Sequence, residues 1–357
     1  LVIFVFLIPY SASVYMGLSY LFERVFFLGY FNAVILMAIF TAIYLLTGGY
    51  RAVALADVIQ GTLMIGGVVV LIFFIIRAPE VGGLLNAVDR LRAIDPKLVS
   101  LSGPPGWVAI LSLVILTSLG PWGLPQMVQK FYAIKNDDVV KAGTVVATLF
   151  ALFITFGAYF TGSLTRLFFD SIPLDMVTGK PSPDLLVPQT IIRTLPSWGV
   201  ALIMLLVLSA SMSTLSSLVL VSSSAIVIDL FPSSWQRHKV MWMRVLCGVF
   251  IVLSVLIALR PPSIILSLMA ISWGTVAGVF LAPYLYGLFF RNGTAVAAWV
   301  SAFVGLAIAV GGSLYFKLDP GKTPLVGSLA MLIPLVVFPV VSAVTPKPSK
   351  ELVERLF

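Results

Sequence analysis

Nine hydroxyl side chains fall within the 16 residues 209–224. The run reads Ser209-Ala210-Ser211-Met212-Ser213-Thr214-Leu215-Ser216-Ser217, then Ser222-Ser223-Ser224. If the segment is helical, positions 210, 213, 214 and 217 share one face, because residues three and four apart are helix neighbours. A hydroxyl pair beside a free backbone carbonyl suits a hard cation such as Na⁺, which wants oxygen ligands and little net charge. The same residues would also serve close helix packing, each hydroxyl bonding back to the carbonyl four residues earlier.

Two other stretches carry unusual chemistry. Gly120-Pro121-Trp122-Gly123-Leu124-Pro125 interrupts an otherwise apolar, helical run. Two prolines and two glycines in six residues predict an unwound backbone, and the carbonyls so freed can contact a solute. A plain proline kink is the alternative. Further upstream, Thr47-Gly48-Gly49 predicts a tight turn between two apolar runs, followed by Asp57 and Gln60 near the start of the next helix. A carboxylate is favoured there by the helix dipole, so capping competes with a functional role.

The elements that must position these residues are long and apolar. Of 357 residues, 60% are hydrophobic and only 10% charged, and the mean hydropathy is +1.10. An average soluble domain is about 25% charged. A chain so poor in charge could not cover a water-facing surface of this size. A membrane-crossing helix needs about 20 apolar residues. On that measure ten spans are expected, at about 1–22, 31–47, 53–76, 106–134, 139–165, 197–228, 240–259, 263–290, 293–316 and 324–344. The runs are too long, and too little alternating, for barrel strands. Residues 1–344 thus read as one multi-pass transmembrane domain and 345–357 as a polar tail. Connections at about 77–105 and 166–196 are longer, the second with Pro181-Ser182-Pro183-Asp184 and a short helix after it. Basic residues balance between the two sets of loops. Their density weakly favours the tail side as cytoplasmic.

Composition also excludes function classes. The net charge of +8 comes from basic residues scattered singly between apolar runs, which is not a nucleic-acid footprint. One cysteine, Cys247, permits no internal disulfide, and with one histidine, His238, there is no His/Cys zinc site. No nucleophile–base pair suggests an enzyme. The run begins inside an apolar segment at Leu1, which reads as the middle of a larger membrane protein.

Taken together and in this order, the three stretches resemble the sodium:solute symporter family. Tyr44-x-x-Thr47-Gly48-Gly49 leading to Asp57-x-x-Gln60 resembles that family's most recognisable segment. Gly123-Leu124-Pro125-Gln126 with Lys130-Phe131 looks like its broken sixth core helix, and Met212-Ser213-Thr214-Leu215 through Asp229-Leu230 its eighth. Trp273-Gly274, Gly278, Pro283 and Arg291-Asn292-Gly293 resemble its tenth. The resemblance implies an all-α, LeuT-type fold of two inverted five-helix repeats. No internal sequence similarity between the halves is visible, so that expectation rests on the resemblance.

By the same resemblance the ion is Na⁺, held by the Ala210 carbonyl and the Ser213 and Thr214 hydroxyls, with Asp57 in the sodium path or in coupling. The solute is expected near the interruption, with Thr117, Gly120, Pro121, Trp122 and Gln126 as contacts. Thr117 and Pro121 stand where proline-transporting members carry aromatics, which argues against proline. Asp184-Leu185-Leu186-Val187-Pro188 and Arg260-Pro261-Pro262 look more like the pantothenate-type branch. A small carboxylate such as pantothenate or a monocarboxylate is therefore expected, although Gln126 stands where many members have His. The resemblance places the first residues near the third core helix. The first two core helices of the same protein would then be partners, beside membrane lipid, and this part is not expected to transport alone. The implied activity is sodium-coupled symport across the plasma membrane by alternating access. A transporter-like sensor module of a signalling protein is the alternative.

Overall fold

The computed structural model describes residues 1–47, 50–132, 134–232, 238–349, 351 and 353–354, without the side chains of residues 46, 47 and 50–57. Helices dominate. The first three are α1 (Val2–Phe26), α2 (Tyr30–Thr47) and α3 (Tyr50–Arg77). A short amphipathic α4 (Leu84–Ile94) lies in the first long connection. The interrupted run gives α5 (Gly106–Gly123) and α6 (Pro125–Phe131), followed by α7 (Asp137–Leu164). The second long connection holds 3-10 turns and α8 (Leu186–Thr194). Then come α9 (Ser197–Asp229), α10 (Lys239–Leu259), α11 (Ile265–Phe289), α12 (Ala295–Tyr315) and α13 (Thr323–Val344). Among the described residues, nine helices are long and apolar enough to cross a membrane, and α2 adds a shorter apolar one. Each expected span has its helix, with ends shifted by a few residues. Gly48 and Gly49 lie outside the described residues.

α1, α9 and α11 form the centre. α1 packs against α2, α9, α10 and α11, and its Tyr15, Tyr20 and Leu18 are buried with Leu215 and Leu218 of α9 and Phe250 of α10. α11, α12 and α13 pack against one another, and α5 lies on α11 and α13. α3 leans on α9 and carries α7 on its far side. The outer face of α7 exposes Leu149, Leu152 and Phe156, as lipid-facing residues should.

Hydrocarbon rewards neither apolar burial nor unpaired polar groups, so small side chains and hydroxyls join the helices. Ser272 of α11 donates to the Phe6 carbonyl of α1, and Ser328 of α13 to the Ser112 carbonyl of α5 at 2.6 Å. Tyr30 of α2 donates to the Ala258 carbonyl at 2.9 Å. A β-carbon on Gly305 of α12 would stand 2.1 Å from the Gly278 carbonyl oxygen of α11, so the two backbones touch there.

Candidate functional site

The expected unwinding at 120–125 is much narrower in the structure. α5 stays helical through Pro121 to Gly123, and the break is Leu124 alone, at φ −87° and ψ 119°. Proline removes only its own N–H, which costs the Thr117 carbonyl its helical donor and leaves the rest of the turn in place. Pro125 then starts α6 at a position where no N–H is needed. Leu124 is the joint: its carbonyl accepts from the amides of Met127 at 3.0 Å and Val128 at 3.2 Å.

The glycines here serve close approach. A β-carbon on Gly123 would lie 2.7 Å from the Ala277 Cα of α11, and one on Gly120 would lie 3.1 Å from the Trp273 ring. Trp273 in turn meets the Tyr10 ring of α1 edge-on at 5.5 Å. One indole thus touches both the end of α5 and the middle of α1. Trp273 stands out in the sequence only through the resemblance to the family's tenth core helix, and Tyr10 not at all, because both lie in ordinary apolar runs.

The five solute-site residues expected from the sequence separate into two groups. Thr117 is half-buried and donates its hydroxyl to the Leu113 carbonyl at 2.8 Å. Gly120 is buried, Pro121 is half-buried and Trp122 is 60% exposed. Gln126 is elsewhere: it is 3% exposed and lines a cavity of about 70 Å³ with Ser213, Thr214 and Ser217 of α9, Tyr10 of α1 and Lys130. Met127 and Leu218 complete the wall. Both Oε1 and Nε2 of Gln126 are buried without a hydrogen-bond partner among the described residues.

Ser213 and Thr214 therefore do share a cavity, and no Asp or Glu among the described side chains lines it. The Thr214 hydroxyl donates to the Ala210 carbonyl at 2.9 Å, and Ser217 donates to the Ser213 carbonyl at 3.1 Å. Both hydroxyl oxygens keep lone pairs for a cation. Ala210 does not line the cavity. Asp57 falls within α3, but its side chain lies outside the described ones. The hydroxyls on this wall are neutral hard oxygens of the kind Na⁺ takes, and Lys130 lines the same space.

A second polar cavity, about 580 Å³, lies among loops at one end of the bundle. Asp175 is buried there and satisfied, accepting from Tyr20 at 3.1 Å, from the Val177 amide at 2.9 Å and from Thr178 at 3.1 Å. Asp184 accepts from the Ile265 amide at 3.0 Å and so caps α11 from another element. Burial pushes the Asp184 carboxyl up to about 6; the Ile265 bond opposes this and the Asp175 charge adds to it.

Residues 1–305 match the sodium:solute symporter family. The chain is 30% identical to the sodium/pantothenate symporter of Haemophilus influenzae, over 82% of this chain and 60% of that protein. It is 31% identical to the sodium/pantothenate symporter of Escherichia coli, over 85% of this chain and 62% of that one. The osmoregulated proline transporter OpuE of Bacillus subtilis is 25% identical, over 98% and 70%. The chain thus spans about three fifths of the length of the two pantothenate relatives. Among solved structures, a substrate-bound, outward-open Na⁺-coupled sialic acid symporter superposes with a TM-score of 0.72 at 19% identity, covering 98% of this chain and 74% of that one. That likeness bears out the all-α, LeuT-type fold expected from the sequence.

Proposed function

This chain belongs to the sodium:solute symporter family, and on that premise we propose that it forms the greater part of a sodium-coupled symporter for a small organic solute in the cell membrane. The observation that carries the proposal is the cavity at Ser213 and Thr214, which gathers the hydroxyls of Ser213, Thr214, Ser217 and Tyr10 beside Gln126 and Lys130 of α6. Na⁺ is the coupling ion, held by the Ser213 and Thr214 hydroxyls. Ala210 supplies the carbonyl when the Thr214 hydroxyl bond to it gives way. Asp57 acts in the sodium path.

The solute sits at the end of α5, near Thr117, Gly120, Pro121 and Trp122, beside the Leu124 joint. Trp273 links that place to Tyr10 and so to the ion cavity. The chemical class is a small carboxylate, pantothenate or a monocarboxylate, a reading supported by two relatives of 30% identity or more that are sodium/pantothenate symporters. One elementary charge crossing 100 mV is worth about 2.3 kcal/mol, enough to concentrate a solute substantially.

The test uses the full-length protein in proteoliposomes with labelled pantothenate, with and without an inward Na⁺ gradient. Uptake is expected to need the gradient. Ser213→Ala with Thr214→Ala is expected to remove sodium dependence. A sodium response preserved in that double variant would show the assignment to be wrong.

A further inference from the structure

We infer that Gln126 is the contact through which α6 senses the coupling ion, rather than a contact of the solute. The inference rests on the sodium reading above and adds a residue and a direction of coupling to it.

Gln126 is 3% exposed, and both ends of its amide lie without a hydrogen-bond partner among the described residues. A primary amide offers one acceptor oxygen and two donor hydrogens. Burying all of them unpaired is costly, so such a position is kept for a ligand. Size decides which ligand. A water occupies about 30 Å³ of liquid, so a cavity of about 70 Å³ suits an ion and a water. Organic solutes use sites of about 300–1,000 Å³. Chemistry agrees with size. The other polar groups on α9 and α1 are the hydroxyls of Ser213, Thr214, Ser217 and Tyr10, and an amide oxygen joins them as one more neutral hard ligand. The amide hydrogens remain to pair with a hydroxyl or with the ion's water.

Position gives the consequence. Gln126 is the second residue of α6, two positions after the Leu124 joint. A cation facing both Gln126 and the α9 hydroxyls ties α6 to α9, and its departure unties them. Lys130, one helical turn further on, lines the same cavity.

The experiment measures labelled pantothenate uptake by the full-length protein in proteoliposomes, as a function of Na⁺ at fixed solute and of solute at saturating Na⁺. Wild type is run first; if its uptake ignores Na⁺, the symport reading itself fails, whatever the variants do. With sodium dependence established, Gln126→Leu is expected to raise the half-saturating Na⁺ concentration about tenfold or more, with solute KM at saturating Na⁺ unchanged. Gln126→Asn, which keeps the amide, is expected to restore part of the loss and to shift the preference between Na⁺ and Li⁺. If Gln126→Leu does not insert, Gln126→Asn carries the same comparison. A raised solute KM with an unchanged sodium curve would make Gln126 a solute ligand and overturn the inference. Unchanged values for both would make it a spacer and overturn it equally.

Discussion

Replacing Asp184 by asparagine is expected to stabilise the protein at neutral pH and to do little in acid. The Asp184 carboxyl titrates near 6 in the folded protein against an ordinary 3.8. A carboxyl raised in this way favours folding fully below 3.8. That advantage is lost as pH rises through 6, because only the folded state then holds the proton. Each pH unit of the gap is worth about 1.4 kcal/mol, so ionising Asp184 in place costs about 3 kcal/mol, with about 1.4 kcal/mol of this between pH 5 and 7.5. Asparagine keeps a carbonyl oxygen for the Ile265 amide and has no charge to bury beside Asp175. Lys180, Lys317 and Asp319 share the cavity, but the charge that adds to the Asp184 shift is that of Asp175. Thermal unfolding of the full-length wild type and variant in detergent, at pH 5 and pH 7.5, reads the effect. The gain in Tm from Asp184→Asn should be larger at pH 7.5. An equal gain at both pH values would show that Asp184 does not titrate between them. A loss at both would show that the charge itself, held on the α11 amide, is what matters.

Gly305→Ala must push α12 away from the Gly278 carbonyl, an overpacking cost of about 1–3 kcal/mol, and is expected to lower thermal stability and yield without changing the sodium curve of the protein that folds. Trp273→Ala removes a side chain that meets both Gly120 and Tyr10; solute-stimulated Na⁺ binding is expected to weaken more than binding of either alone, which isotope binding to the solubilised protein would measure. Trp122→Ala, at an exposed position on α5, is expected to raise solute KM while leaving half-saturating Na⁺ unchanged.

Much of the helix pattern is legible in the sequence, because runs such as 265–289 carry no charge and no other element can satisfy their backbone in lipid. The break was legible in place but not in extent. Gly120 and Gly123 look like helix breakers, yet their role is to admit Trp273 and Ala277 of α11, and a contact across 150 residues leaves no mark on local composition. The face shared by Ser213, Thr214 and Ser217 follows from helical spacing alone. That Gln126 meets this face, while Thr117 and Trp122 do not, depends on how α6 turns after Leu124. Helical periodicity carries no information about that turn.

The bond from Ser272 to the Phe6 carbonyl spans 266 residues of chain, while α11, α12 and α13 join next-door neighbours. At roughly 5–20 residues per second, α1 waits about 13–50 s after synthesis for α11 to be made. During that interval its buried Ser11, Tyr15 and Ser19 need other company, whether headgroup water, α2 or an insertase. The last three helices, by contrast, can zip together as they emerge. The contacts of α1 are therefore completed in steps, with α2 first, then α9 and α10, and α11 last.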